Sequence, residues 1–187
     1  MRLSKGMGFT SFNGTGTCYY GAGLVWLGQI QEGIMDIREG NKTTEYIGAW
    51  CHKSRILGIL GEALAAAGQP EQGLAKLNEA LSLAEKADEL HWASDLNDQK
   101  GKLLLAGGDE EGAEACLKNA IEIARQQRAK SWELRATNSL CRLWQQQGKK
   151  AHAKKMVSEL YNWFTEGFDT PDLVEARRLL QELQSTA

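Results

Sequence analysis

The sequence predicts an all-α protein, an α-solenoid of about four antiparallel helical hairpins followed by a C-terminal capping helix. The first observation is a set of glycines spaced 40 residues apart, at Gly28, Gly68, Gly108 and Gly148. The second is that the 187 residues contain only two prolines, so few helix breakers interrupt the apolar patterns. An internal period of this length is typical of stacked repeats, in which each hairpin buries its apolar face against its neighbours.

A third observation is that small residues recur at a fixed distance on either side of each glycine turn. They are Gly21, Gly61, Gly101 and Cys141 before the turn, and Gly33, Gly73, Ala113 and Ala153 after it. We expect the two helices of each hairpin to approach closely at these positions, because a larger side chain would push them apart.

The elements follow from this period. We expect one domain over residues 1–187, with hairpins at about 9–48, 49–88, 89–128 and 129–168. In the second hairpin, the spacing predicts a first helix over about Ala49–Ala67 and a second over about Glu71–Ala87. Between them Gly68 suits the left-handed position after a helix end, and Pro70 suits the first turn of the next helix.

The two ends of the chain differ from the middle. The first hairpin has several glycines inside its predicted helices, each costing about 0.5–1 kcal/mol relative to alanine, so we expect its N-terminal end to be frayed or ordered only by a neighbouring chain. The capping helix is expected at about 171–184, with Thr170 as N-cap and Pro171 in its first turn. One face of it is apolar and the other polar, which is typical of a helix that closes a solenoid.

Composition disfavours several classes of function. The formal net charge is −2, so no global basic field favours nucleic acid, and no apolar run approaches the roughly 20 residues that cross a membrane. No secretory signal is visible and the cysteines are scattered, which predicts reduced thiols and a cytoplasmic location. We expect no metal site, no cofactor and no catalytic residues, because no ligand spacing, phosphate loop or nucleophile–base pair stands out.

A curved stack of hairpins presents its first helices on the concave side, and such surfaces usually bind partners. The register predicts twelve groove-facing residues: Tyr19, Arg55, Ile59, Glu62, Asp95, Asp98, Gln99, Lys102, Arg135, Asn138, Ser139 and Arg142. The most concentrated donors are Arg135, Asn138 and Arg142, which could hold a carboxylate of a ligand. We expect charge reversal of Arg135 and Arg142 to weaken partner binding without unfolding the chain. The alternative to a binding groove is that these residues form a solvated helix face.

Two of the tryptophans occupy equivalent positions, since Trp92 and Trp132 are 40 residues apart. We expect them to pack between successive repeats, and the alternative is an exposed anchor for a partner. The other four are expected in the core: Trp26, Trp50, Trp144 and Trp163.

These spacings resemble the tetratricopeptide repeat (TPR). The small residue of the family's first helix matches Gly61, Gly101 and Cys141, and the small residue early in its second helix matches Gly73, Ala113 and Ala153. The bulky residue of the second helix matches Leu77, Leu117 and Val157. The later alanine of the second helix matches Ala80 and Ala120. The chain departs from the family in its period, which is about 34 residues in TPR proteins, and in lacking the terminal proline. The resemblance implies helical hairpins that bind a protein or peptide.

A narrower resemblance is carried by four stretches, at residues 113–125, 130–136, 143–149 and 163–173. They look like the C-terminal repeat region of large bacterial signalling proteins that also carry a nucleotide-cyclase-like domain and a P-loop ATPase domain. Neither catalytic domain is recognisable in this sequence, so their activities are not carried over. We therefore expect a non-catalytic protein-interaction module in bacterial signalling or regulation. Two alternatives stay open: self-association through the first hairpin, with Tyr19, Tyr20 or Trp26 in the contact, and a small-molecule-sensing domain of a larger regulator.

Overall fold

The computed structural model describes residues 10–46, 52–87 and 90–184, and within these ranges every regular element is helical. This confirms the predicted all-α helical repeat fold. The chain divides into two compact units, Met1–Trp92 and Ala93–Ala187. Unit 1 contains α1 (Thr10–Trp26), α2 (Ile30–Tyr46), α3 (Lys53–Ala66), α4 (Pro70–Lys86) and a 3₁₀ turn (Leu90–Trp92). Unit 2 contains α5 (Ala93–Ala106), α6 (Glu110–Gln126), α7 (Lys130–Gln146), α8 (Lys150–Tyr161) and α9 (Pro171–Gln184).

The turns inside the hairpins have one geometry. Gly28, Gly68, Gly108 and Gly148 have φ angles of 84°, 76°, 86° and 76°, the left-handed conformation that the glycine period predicts. At the second turn, the Gly68 amide donates to the Ala65 carbonyl at 2.9 Å and the Gln69 amide donates to the Leu64 carbonyl at 3.0 Å. These two bonds satisfy carbonyls that a helix end otherwise leaves unpaired.

A fifth turn has the same geometry without glycine. Between α6 and α7, Arg128 has a φ of 55°, its amide donates to the Arg125 carbonyl at 3.0 Å, and the Ala129 amide donates to the Ala124 carbonyl at 2.9 Å. This turn could not be predicted from the sequence, because arginine rarely adopts the left-handed conformation.

The first hairpin is packed more closely than its glycine content suggested. Residues 10–26 form one continuous helix, and the N-terminal end before Thr10, where fraying was expected, lies outside the described residues. A Cβ added to Gly21 would lie 2.5 Å from the Gly33 carbonyl oxygen, and one added to Gly14 would lie 3.0 Å from the Gly40 carbonyl oxygen. These glycines therefore let α1 and α2 cross with backbone nearly touching backbone. Gly6 and Gly8 lie outside the described residues.

The hairpins stack within each unit through apolar clusters. In unit 1, α3 packs on α1 and α2 around a cluster of eight buried residues: Cys18, Ile34, Ile37, Ile56, Ile59, Leu60, Ala63 and Leu64. In unit 2, α7 packs on α5 and α6, and α9 packs on α7 and α8. The capping helix contributes its apolar face to the latter cluster through Leu173, Ala176, Leu179 and Leu183.

One helix boundary differs from the sequence-based expectation. The first helix of the second hairpin was expected to begin near Ala49, whereas α3 begins at Lys53, directly after His52 in the left-handed conformation at a φ of 65°. Residues 47–51, which include Trp50 and Cys51, lie outside the described residues.

Candidate functional site

The residues expected to face a binding groove gather in two clefts, one in each unit. The unit 1 cleft has a volume of about 260 Å³ and lies between α1 and α3. It is lined by Tyr19, Ala22, Gly23, Val25, Trp26, Arg55, Ile59, Glu62 and Ala63. The structure therefore brings together all four residues that the sequence assigned to this part of the chain, around a largely apolar surface.

The unit 2 cleft has a volume of about 310 Å³ and is more polar. It is lined by Lys102, Leu105, Leu117, Arg135, Asn138, Ser139, Arg142, Asp172 and Glu175. Four of the predicted residues come from α7 and Lys102 comes from α5. The capping helix adds Asp172 and Glu175, which the sequence analysis had placed on no binding surface.

Three of the predicted groove residues line neither cleft. Asp95, Asp98 and Gln99 on α5 are buried, and each carboxylate has a local partner. The Gln99 amide donates to Asp95 Oδ2 at 2.8 Å, and the Lys102 ammonium lies 2.6 Å from Asp98 Oδ2. These side chains belong to the interior of unit 2.

The guanidinium of Arg135 is held between two carboxylates of the chain. Its Nη2 donates to Asp172 on α9 at 3.0 Å, and its Nη1 donates to Asp95 on α5 at 3.2 Å. Burial opposes the charged form, but these two carboxylates outweigh it and raise the pKa of Arg135 above its ordinary value.

Arg142 is held in the same way, about two turns further along α7. It lies 2.6 Å from Glu175 and also pairs with Glu182, both on α9, and it donates to the Gln145 side chain at 3.1 Å. The hydrogen bond from Arg142 is the main reason that the pKa of Glu182 falls to about 2. The carboxylate that the sequence analysis expected from a ligand is thus supplied by the capping helix.

This arrangement changes the expected effect of reversing the two arginines. Each reversal would place a glutamate beside at least two acidic side chains, so like charges would oppose each other across α7 and α9. The structure therefore leads us to expect weaker docking of the capping helix, and the variant no longer separates binding from stability.

The signal for these pairs is present in the sequence as alternating charge at the 40-residue period. Asp95, Arg135 and Glu175 are equivalent positions, and so are Lys102, Arg142 and Glu182. Within unit 2, neighbouring helical elements thus meet through opposite charges, in the Arg135–Asp95 and Arg142–Glu182 pairs.

Asn138 is the residue of the unit 2 cleft with unused hydrogen-bonding capacity. It is buried, with a relative exposure of 5%. Its Nδ2 donates to the Asp172 carbonyl at 2.8 Å, whereas its Oδ1 has no hydrogen-bond partner. A buried amide oxygen without a donor is costly, so an N–H donor that reached this atom would be favourable.

The tryptophans correct one expectation. Trp26 and Trp163 were expected in the core, but they are 86 % and 58 % exposed. Trp26 is the last residue of α1, and Trp163 lies two residues beyond the end of α8. Trp144 is partly buried and packs against two apolar clusters of unit 2. Trp50 lies outside the described residues.

The two equivalent tryptophans each carry an arginine over the indole ring. The Arg55 guanidinium lies 5.1 Å from the Trp92 ring centre, within unit 1, and the Arg135 guanidinium lies 5.5 Å from the Trp132 ring centre, within unit 2. Both contacts are in the range of a cation–π interaction. They hold the arginines of both clefts in place.

Three further observations on the described ranges concern metal ligands, membrane spans and thiols. Over residues 10–46, 52–87 and 90–184 no group of three histidine, cysteine or acidic side chains could hold a metal ion. No helix in the same ranges is both long and apolar enough to span a bilayer. Burial raises the pKa of the Cys18 thiol to about 11 and that of Cys141 to about 12, so both thiols stay protonated at neutral pH.

Comparison with known proteins identifies the fold. No protein-family model and no curated protein sequence matches the chain. Among solved structures, it resembles nearly identical TPR-like repeats of a kinesin light chain-like protein from Podosopora anserina, with a TM-score of 0.73, 14% identity and coverage of 94% of this chain and 87% of that one. It also resembles BtubC (BKLC) from P. vanneervenii, with a TM-score of 0.64, 12% identity and coverage of 94% and 82%.

A further similar structure is a Rap protein complexed with competence and sporulation factor, with a TM-score of 0.75 and 17% identity. The match covers 89% of this chain but only 47% of the Rap protein, so the chain spans about half the length of that protein. At these identities the similarity establishes a TPR-like helical repeat fold.

Proposed function

We propose that the chain is a non-catalytic protein-interaction module, which binds a peptide segment or partner domain on the faces of its first helices. The observation that carries this proposal is that predicted groove residues line the unit 2 cleft around a buried amide oxygen without a donor, Asn138 Oδ1. A peptide backbone offers N–H donors at regular spacing, and Leu105 and Leu117 give the same cleft apolar surface for a side chain.

The charges of the cleft favour an uncharged or mildly polar ligand segment. Its arginines are already paired with carboxylates of α9, and Lys102 is paired with Asp98. A strongly charged ligand would have to displace one of these partners, whereas a peptide backbone would add a hydrogen bond without breaking any. The resemblance to repeat regions of signalling proteins supports a cytoplasmic role in bacterial signalling or regulation.

The test is a selection from a library of short random peptides displayed on phage, followed by fluorescence anisotropy with one labelled peptide that the chain enriches. The discriminating variant is Ser139→Gln. Ser139 lines the unit 2 cleft, and a longer uncharged side chain there fills the cleft while keeping a good helix former on α7. We expect affinity for the peptide to fall about tenfold or more, the size of a binding hot spot.

The matched control is Ser158→Gln on α8. Both serines donate their hydroxyl to a backbone carbonyl of the preceding turn, Ser139 to Arg135 at 3.2 Å and Ser158 to Lys155 at 3.0 Å, but Ser158 lines neither cleft. We expect this control to bind like wild type. Equal affinity of the two variants, or a library that yields no enriched peptide, would refute binding in the unit 2 cleft.

A further inference from the structure

Among the described elements of unit 1, α1 packs on α2 and α3, and no described helix packs on its outer side. This side of the helix and its last turn is followed by four residues at intervals of four, three and four: Gly16, Tyr20, Gly23 and Leu27. We call these four residues the α1 outer face. Tyr20 is 55% exposed and Leu27 is 79% exposed. A Cβ added to either glycine would meet no atom within 4 Å, so there is room for close approach by another helix.

The other hairpin junctions described within the units contain ion pairs. Lys53 on α3 pairs with Glu45 on α2, and Glu133 on α7 lies 2.8 Å from Arg125 on α6. Further along α7, Arg135 and Arg142 pair with carboxylates of α5 and α9. A first helix of this chain thus meets the neighbouring hairpin through charged side chains at fixed repeat positions.

The α1 helix lacks charges at every one of these positions. In the 40-residue period, Asn13 is equivalent to Lys53 and Glu133. Thr15 is equivalent to Arg135, and Ala22 is equivalent to Arg142. The whole of Thr10–Trp26 contains no Asp, Glu, Lys or Arg. A hairpin of the ordinary type would bring charges that this helix could not pair, and burying an unpaired charge is costly.

We infer that the partner of the α1 outer face is the same face of a second copy of this chain. Two copies of an uncharged helix leave no charge unpaired, and the open glycines let the two tyrosines and leucines interleave. The contact would be self-complementary, with a two-fold axis crossing α1. The opposite end of the chain is unsuited to the same role, because the outward side of α9 carries Arg177, Arg178 and Gln181. Pairing would therefore stop at two copies.

The test is the solution mass of the full chain by light scattering over a concentration series. We expect the mass to rise from 20.6 kDa to twice that value and to stay there. The discriminating variant is Gly16→Lys, since a side chain at that position meets no atom of the monomer but places a charge in the proposed contact. We expect it to remain monomeric over the same series, with its helical circular dichroism unchanged.

The matched control is Met35→Lys on α2, where a side chain 62% exposed lies away from the α1 outer face. We expect this variant to form the same dimer as wild type. A wild-type chain that stays monomeric, a dimer that tolerates Gly16→Lys, or a mass that grows past two copies would each overturn the inference. Because this inference does not use the unit 2 cleft, peptide binding and self-association can fail independently.

Discussion

Gly21 and Gly33 lie so close across the first hairpin that a Cβ on Gly21 would be 2.5 Å from the Gly33 carbonyl oxygen. Backbone contact of this kind is available only to glycine, because any side chain would have to displace the neighbouring helix. The glycines that lower the helix propensity of the first hairpin are therefore what allows its two helices to pack. The cost in propensity is offset by the close packing of α1 on α2.

The first prediction compares two glycines of α1. We expect Gly21→Ala to lower the free energy of unfolding by about 1–3 kcal/mol, because its Cβ would meet backbone of α2. We expect Gly23→Ala to raise it by about 0.5–1 kcal/mol, because that Cβ meets no atom within 4 Å and alanine favours the helix. Chemical denaturation followed by circular dichroism measures both. Effects of the same sign would contradict this account of the glycines.

The second prediction concerns Arg128, which has the left-handed conformation that glycine has in the other turns. We expect Arg128→Gly to raise the free energy of unfolding by about 0.5–1 kcal/mol. The substitution removes the strain of a left-handed arginine, and this gain is partly cancelled because glycine loses more backbone entropy on folding. The reverse substitution, Gly108→Arg, should lower it by a similar amount, since space around Gly108 is open and only conformation is changed. Thermal melts of both variants check this, and a loss of stability in Arg128→Gly would refute it.

The sequence predicts features that depend on residue type alone. Gly68 identified its turn because few residues other than glycine adopt positive φ, and the Gly61–Gly73 approach followed from two missing side chains. Arg128 gave no such signal, because its conformation is imposed by the hairpins on either side. The pairing of Arg135 with Asp172 could not be chosen from sequence either, since a guanidinium binds a ligand carboxylate and the carboxylate of Asp172 equally well. That choice depends on where α9 packs.

The third prediction ranks the reactivity of the cysteines. The Cys141 thiol is fully buried, donates to the Ala153 carbonyl at 3.4 Å, and has a pKa raised to about 12 by burial. Cys116 is only partly buried. Because the thiolate is the reactive form, we expect iodoacetamide to label Cys116 well before Cys18 and Cys141 in the native protein. Peptide mass spectrometry over a time course reads each site, and labelling in denaturant, where the order should vanish, is the control. Early labelling of Cys141 would mean that the second hairpin of unit 2 opens readily.

The last prediction concerns the pairing of the capping helix with α7. The hydrogen bond from Arg142, helped by Gln145, lowers the pKa of Glu182 from 4.5 to about 2. Because the folded pKa lies below the unfolded one, the pair stabilises the fold fully above about pH 4.5, and this contribution is lost as the pH falls towards 2. We expect Glu182→Gln to lower the melting temperature at neutral pH and to reduce its fall between pH 5 and pH 2.

The matched control for this prediction is Glu159→Gln, which changes an exposed glutamate of α8 that forms no ion pair in the described part of the chain. We expect its melting temperature to follow the wild-type pH dependence. If Glu182→Gln gave the same pH dependence as wild type, the Arg142–Glu182 pair would contribute nothing to the docking of α9. Glu175 would then be the carboxylate of α9 that holds the Arg142 guanidinium, because that ion pair at 2.6 Å does not involve Glu182.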